Sequence, residues 1–357
     1  MTKIPYSNDE LKIVGEFLNT TVSFVPYTPI YNTPITVAEN LTRALKDGSH
    51  LWMPTTSDIL NIESRANKDH IARAEIRDLG PAQPEEEKGG PDLFGIEWVY
   101  VPVAGGSMVK PGTPLLDDAG EWYDKVVFPD VDAMAWEEAG VLNAPFRNEK
   151  RIIGCCFQNG MFERLISFMD FEGALIALID DEQKDAVHDL FAKLADMYIA
   201  MIQKYIDILD VKEVLFHDDW GSQRAPFFSL DVCREMVVPY IRKISDFCHE
   251  KGLIFQLHSC GCNELLVPAM IEAGVDIWCG QPMNNKAMLY EKYGKDIMLG
   301  VEVPVLPEDA SDDEIEDAAK KFVEAYSEYP IMAVTRFASQ KLVEAIYRQS
   351  RIILAEK

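Results

Sequence analysis

No stretch of this 357-residue chain approaches the roughly 18 consecutive apolar residues of a membrane helix, so no transmembrane segment is expected. Positive charge is scarce: 34 Lys and Arg stand against 59 Asp and Glu, a formal net charge of −25. Nucleic acid and anionic membrane both call for a Lys/Arg surface, so the deficit argues against either as a partner, and it disfavours a polyanionic substrate. The opening MTKIPYSNDELKIVGEF has no secretory apolar core and carries acids early, so no targeting peptide is read there. Phosphate-loop, dinucleotide, nucleophile-elbow and H-E-x-x-H patterns are missing, and no fixed repeat period occurs. Cysteine is limited to seven, an odd number that includes the adjacent Cys155 and Cys156 and the C-x-C of Cys260 and Cys262. Such local pairs staple nothing, which points to a reducing cytoplasm with free or metal-bound thiols.

What the chain does have is 48% hydrophobic residues, enough for a large core, arranged as short apolar runs separated by longer amphipathic stretches. The runs are 50–54 (HLWMP), 97–103 (EWVYVPV), 151–157 (RIIGCCF), 213–219 (EVLFHDD), 253–260 (LIFQLHSC), 275–280 (VDIWCG), 297–303 (IMLGVEV) and 330–336 (PIMAVTR). Each suits a buried parallel strand. Between them, 185–209 and 231–250 carry apolar residues at helical spacing, with Pro239 expected to kink the second or start a new segment. Eight strands alternating with helices predict an α/β fold, a (β/α)8 TIM barrel with an N-terminal extension and a small β-rich insertion; an open doubly wound sheet is the structural alternative. The whole of 1–357 reads as one domain. Residues 78–130 form an insertion or lid within it, beginning with the Pro/Gly/Glu-rich 78–92 and continuing through β-like pieces broken by AGGS and KPGTP. The acidic run 308–317 reads as a solvated helix start.

In such a barrel the chemistry lies at the C-terminal ends of the strands. Strand four ends in His217, Asp218 and Asp219, a cluster whose acids serve as acid and base, as ligand acceptors or as helix caps. On strand five, His258 and Cys260 are two apart and project to one face. With Cys279 or Glu302 from the next strands they can converge on one ion, imidazole and thiolate being common zinc ligands. The bland alternative makes the cysteines small buried fillers and lets His258 bond a carbonyl. Trp220, Gln223, Phe157, Met161, Phe162 and Tyr100 stand near the expected rim, where an apolar cavity for a flat ligand would draw on them, unless they are core.

DDWGSQ (218–223), VVPYIRKI (237–244), FQLHSCG (255–261) and EAGVDIWCGQ (272–281), with 34–54 and 92–118, resemble the uroporphyrinogen decarboxylase superfamily over about residues 34–304. Within it the chain looks most like the methyltransferase I components of corrinoid-dependent, veratrol-type O-demethylases. The resemblance implies demethylation of a methyl ether, a methoxylated aromatic, with the methyl passing to Co(I) of a corrinoid on a separate protein that docks at the barrel mouth. It implies zinc at His258 and Cys260. Related methylcobamide:thiol methyltransferases add a later Cys as third ligand; none follows Cys279 here, so Cys279 or Glu302 is expected instead. Decarboxylases of the family begin with an Arg-rich segment that has no counterpart here. The alternatives carried are methyl transfer to a thiol, porphyrinogen decarboxylation, and non-catalytic tetrapyrrole or corrinoid binding. A homodimer is the oligomer entertained.

Overall fold

The computed structural model describes residues 4–21, 27–103, 105–147 and 150–356; Ala104 of the AGGS stretch and residues 1–3 of the opening segment lie outside them. In chain order, an antiparallel hairpin of β1 (Ile13–Leu18) and β2 (Tyr27–Tyr31) precedes β3 (Ile59–Ile62). A three-stranded antiparallel sheet follows: β4 (Gly89–Pro91), β5 (Glu97–Val101) and β6 (Gly106–Val109). Then come β7 (Ile152–Phe157), β8 (Glu213–His217), β9 (Ile254–His258), β10 (Ile277–Trp278), β11 (Met298–Glu302) and β12 (Ile331–Val334).

The sheet runs β12-β11-β10-β9-β8-β7-β3, every neighbouring pair parallel. Its two ends are joined by one piece of chain. Thr55, four residues before β3 begins, bridges Ala333 in parallel, and the Ala333 N–H donates to the Pro54 carbonyl at 2.8 Å. The sheet therefore curls round as a (β/α)8 TIM-like barrel, with extra antiparallel sheets beside it. Two of the eight expected strands are corrected. Residues 97–103 belong to the insertion sheet, because their partners are antiparallel segments of the same insertion. The barrel strand in that place is β3, a four-residue ILNI. The stretch 50–54 is no regular strand, yet it leads into the closing bridge.

Alternation along the strands sorts the core into two bodies. Leu41 and Ala44, from the helix Val37–Asp47, pack with Ile152, Ile277, Met298 and Met332 to close the N-terminal end of the barrel. Each large side chain there contributes about 1.5–3 kcal/mol by leaving water. The opposite strand faces (Ile153, Cys155, Phe157, Val214, Phe216, Leu257) meet the helices Met161–Ala177 and Lys184–Leu209 in the main core. Pro239 has the expected effect by a particular route: a π turn, Cys233–Val237, leads into the helix Val238–Glu250, and the wider turn accommodates a residue that has no N–H to give. The acidic run opens the helix Asp312–Ala325 through a Ser311–Glu314 capping box.

Candidate metal centre

β8 and β9 are paired so that His217 stands opposite His258, their rings 4.8 Å apart and nearly perpendicular. Two residues on, alternation brings Asp219 and Cys260 to the same side. One ligand atom from each of His217, Asp219, His258 and Cys260 lies within 4.8 Å of the other three. Nε2 of His217 is 2.9 Å from Oδ1 of Asp219, Nε2 of His258 is 3.3 Å from Sγ of Cys260, and the Cys260 N–H donates to Asp219 Oδ1 at 2.6 Å.

The hydrogen-bond network fixes how His217 presents itself. Gln158 donates its amide N–H to Glu63 at 2.7 Å, which turns its carbonyl oxygen toward His217 Nδ1 at 3.0 Å. Nδ1 must then be the donor, so Nε2 of a neutral ring offers a lone pair to the barrel mouth. That lone pair would face the Asp219 carboxylate, acceptor against acceptor, and either a proton or a cation has to lie between them. In the protein alone a proton takes that place. Burial by itself would depress His217, but the Glu163 carboxylate and the Asp219 hydrogen bond lift it to about 10. Conversely Asp219, despite burial, is held well below the usual carboxylate range by His217. His258 is pushed down to about 4 by burial and the His217 charge, so it is neutral and ready to coordinate. Burial raises the Cys260 thiol.

Two imidazoles, a thiol and a carboxylate are all within the donor set that zinc accepts. A second observation supports the fit: Glu163 gives one oxygen to Arg73 at 3.0 Å, while its other, buried oxygen has no hydrogen-bond partner and lies 3.7 Å from His217 Nε2. An unpartnered carboxylate oxygen beside this cluster suits a bound cation or a group carried on one.

Other residues singled out from the sequence are placed differently. Asp218 turns away from the cluster and caps the helix Met161–Ala177, accepting from the N–H groups of Phe162 (3.1 Å) and Glu163 (2.9 Å) and from the Trp220 indole (2.8 Å). Burial pushes it up to about 7 against the pull of those bonds. Cys279 packs with the apolar barrel floor, and its sulfur fills the space that Gly300 leaves free; neither it nor Glu302, at the end of β11, joins the four-residue cluster. Phe157, Met161, Phe162 and Trp220 are fully buried in the main core, so the structure does not bring them to the mouth. For Phe157 the reason is alternation, since it shares a face with Cys155 while Gln158 points inward. Gln223 is exposed in the loop after β8, and Tyr100, half-buried on β5, accepts from Lys88 at 3.2 Å. Missed as a ligand pair were His217 and Asp219, although H-x-D at the end of β8 mirrors H-x-C at the end of β9. Gln158, Glu163, Asn159 and Arg73 carried no motif. A cavity of about 640 Å³ lies elsewhere, between the N-terminal hairpin, the closing bridge and the helix Gln340–Glu356, and none of the four cluster residues lines it.

A model of the family described as uroporphyrinogen decarboxylase (URO-D) matches residues 148–333, just over half of the chain, from before β7 into β12. Among solved structures, a methyltransferase from Methanosarcina mazei is similar with a TM-score of 0.57 at 15% identity, over 90% of this chain and 98% of that one. That likeness is one of fold. A sugar phosphate isomerase/epimerase from Parabacteroides distasonis matches at TM-score 0.32 and 10% identity over 61% of this chain and 80% of that one. The GH18 chitinase ChiB from Flavobacterium johnsoniae matches at 0.32 and 12% over 67% and 84%. No curated protein matches the chain significantly in sequence.

Proposed function

The chain belongs to the uroporphyrinogen decarboxylase (URO-D) family, and from that premise we propose that it is a methyltransferase that demethylates a methyl ether, a methoxylated aromatic, onto the Co(I) of a corrinoid carried by a separate protein. The observation that carries the proposal is the convergence of His217, Asp219, His258 and Cys260 at the C-terminal mouth of the barrel. These four would hold zinc, with one position yielding to substrate. A zinc ion bound there would act as a Lewis acid, drawing electron density from the ether oxygen and making it a better leaving group. Cleavage of the methyl–oxygen bond would leave its electron pair on oxygen, which would take a proton from solvent, and the corrinoid would supply the nucleophile that accepts the methyl group.

The chain's own residues prepare that exchange. Gln158, held by Glu63, sets the His217 tautomer, and the Cys260 N–H fixes the Asp219 carboxylate. Asp218 is a positioning residue that docks the N-terminus of the helix Met161–Ala177 against β8 and so sets Glu163 beside His217. We read 78–130 as an insertion within a single barrel domain that walls one side of the mouth, and the corrinoid protein as docking on the remaining open side. Among the described residues no helix is long and apolar enough to cross a membrane. A neutral methoxyarene suits the −25 net charge better than a polycarboxylate does.

A single-turnover assay with Co(I) cobalamin or its carrier and a panel of methoxylated aromatics tests the reading; methylated cobalt is expected, and its absence across the panel with folded protein removes it. Methyl transfer to a thiol is the second reading. Its main obstacle was the absent late Cys, and His217 and Asp219 would complete a ligand set without that residue.

A further inference from the structure

The cavity of about 640 Å³ beside the barrel lies under a strap, the N-terminal hairpin. A two-stranded hairpin is marginal alone and has to pack on something. β1 and β2 are tied to the barrel at their ends. Before β1, the Glu10 carboxylate accepts from Arg351 at 2.7 and 2.8 Å and from the Tyr347 hydroxyl at 2.6 Å, both on the helix Gln340–Glu356. At the end of β1, Arg151 donates to the Leu18 carbonyl at 2.6 Å and to Asn19 Oδ1 at 2.8 Å. The Thr21 N–H then donates to the Asp78 carbonyl at 3.0 Å. At the end of β2, the Tyr31 hydroxyl donates to Glu344 Oε1 at 2.8 Å. Hydrogen bonds are short and directional, so the hairpin cannot sink onto the barrel without breaking these ties. Between them, Phe17 and Ile30 of the strap line one side of the cavity, and Trp52, Val343 and Ile346 line the other.

The chemistry of the lining decides what fits. Its charged groups are committed within the protein: Glu344 accepts from Tyr31 and Gln340, Glu39 from Arg43, and Asp58 from the N–H and hydroxyl of Thr55 at 3.0 Å each. Arg151 holds the strap, and Lys150 is exposed. A charged ligand would give up its hydration here to meet groups that are already paired. The polar remainder is hydroxyl. Where the barrel closes, Thr335 Oγ1 lies 3.2 Å from Ser57 Oγ and 3.4 Å from Thr56 Oγ1. Three hydroxyls carry three protons and share two bonds among themselves, which leaves one O–H to donate elsewhere. We infer that this cavity is a second small-molecule site, separate from the metal cluster, for an uncharged and mainly apolar ligand whose oxygen accepts from the Ser57–Thr335 hydroxyls. Its volume lies within the roughly 300–1,000 Å³ of small-molecule pockets. None of the four cluster residues lines it, and the inference does not depend on the methyl-transfer reading. A ligand there would touch the strap, the last helix and both sides of the closing seam, and so brace the barrel where its sheet meets itself.

Fluorescence titration of the purified full chain tests this with two naphthalene probes. One is 6-propionyl-2-(dimethylamino)naphthalene, which is neutral and carries a carbonyl oxygen; the other is 8-anilino-1-naphthalenesulfonate, which is anionic. The neutral probe is expected to bind at about one equivalent per chain, with blue-shifted emission, and about tenfold or more tightly than the sulfonate. Val343→Trp, which fills the cavity from the last helix, should weaken the neutral probe about tenfold or more. Ala338→Phe fills it from the other side of the seam and replaces that variant should it fail to fold by circular dichroism. Thr335→Val removes the central hydroxyl at nearly constant shape and should weaken the neutral probe about three- to tenfold, the range for one neutral hydrogen bond. The inference is overturned by any of three results: no saturable binding of the neutral probe, a sulfonate that binds as tightly, or wild-type affinity in a folded cavity-filling variant or in Thr335→Val.

Discussion

Arg164 is fully buried, and its guanidinium is shared between two carboxylates: Asp92 at 2.6 Å and Asp69, each almost or wholly out of water. The flat faces lie over Phe94 (4.7 Å) and Phe168 (5.9 Å), so neither water nor a second cation has access. Replacing Arg164 with Met keeps much of the volume and removes the charge. Asp92 retains the Trp98 indole and the N–H groups of Phe94 and Ile96, and Asp69 retains the N–H of Leu93, but both carboxylates lose their counter-ion. Breaking a buried pair in this way costs about 3–5 kcal/mol. With an unfolding entropy of about 2.1 cal/mol/K per residue, a chain of this length should melt about 4–7 °C lower. The sign of the pH dependence follows from linkage. Burial already pushes Asp92 above its ordinary value against the pull of Arg164, and removing the guanidinium leaves burial alone. A carboxyl whose folded pKa exceeds its unfolded value of about 3.9 loses stability as pH rises between the two. The deficit of the variant should therefore be smaller at pH 5 than at pH 8, and Asp92→Asn in the Arg164→Met background should recover part of it. Thermal melts followed by circular dichroism across that range decide the matter. A drop below about 2 °C, or a deficit that does not depend on pH, would refute the account of the triad.

Metal analysis after dialysis against a weak chelator should find about one zinc per chain in the wild type and loss of most of it in His258→Ala and Cys260→Ser, whereas Cys279→Ala and Glu302→Gln should retain it; equal content in all five would remove the proposed ligand set. Gly261 has φ +93°, and a Cβ there would lie 2.2 Å from the Gly221 carbonyl oxygen, so Gly261→Ala should force apart the loops carrying Cys260 and Asp219. It is expected to cost about 1–3 kcal/mol from the backbone alone and to lower zinc affinity, read by competitive chelator titration; unchanged affinity contradicts it. Asp218→Ala should cost about 1–2 kcal/mol in denaturant melts, as a lost helix cap, while zinc content is kept; a loss of zinc equal to that of His258→Ala would assign Asp218 to the site itself.

Most of the barrel was legible because strands buried on both faces must be aliphatic runs, and six of the eight proposed runs carry such strands. The error at 97–103 has the same origin: EWVYV is as strand-like as any of them, and nothing local tells a parallel partner from an antiparallel one. Its counterpart β3 is short, and its inward Asn61 breaks the apolar run. At the site, His258 and Cys260 could be read from their spacing, since side chains two apart share a strand face. Their partners could not, because a ligand set depends on register between strands. The tilt of barrel strands decides it. Following hydrogen-bonded neighbours from His258 toward β10 leads downward, so Cys279 ends against the floor with Ile277 and Met298. The neighbour on the other side, His217, is the one that stays at the mouth. Aromatic residues were misleading for a related reason: a residue at a strand end is at the rim only if it also falls on the inward face.

The insertion is where composition said least and geometry says most. Its Pro/Gly/Glu-rich beginning looks like a spacer, yet Asp78 accepts two bonds from Arg65 (2.9 and 2.8 Å), and Asp92 holds Arg164 of the helix that starts at the barrel mouth. Asp92 also holds the Trp98 indole, whose ring supports Arg73, which binds Glu163, which stands beside His217. Each ionic link in that series is at least half-buried, and buried charge persists only when paired. A chain that merely needed a loop between two barrel strands would have no reason to bury Arg164 between two aspartates. The arrangement makes sense if the insertion has to hold Arg73, and through it Glu163, at a fixed distance from His217 and its neighbours. The mouth is organised as matched pairs, Arg73 with Glu163 and His217 with Asp219.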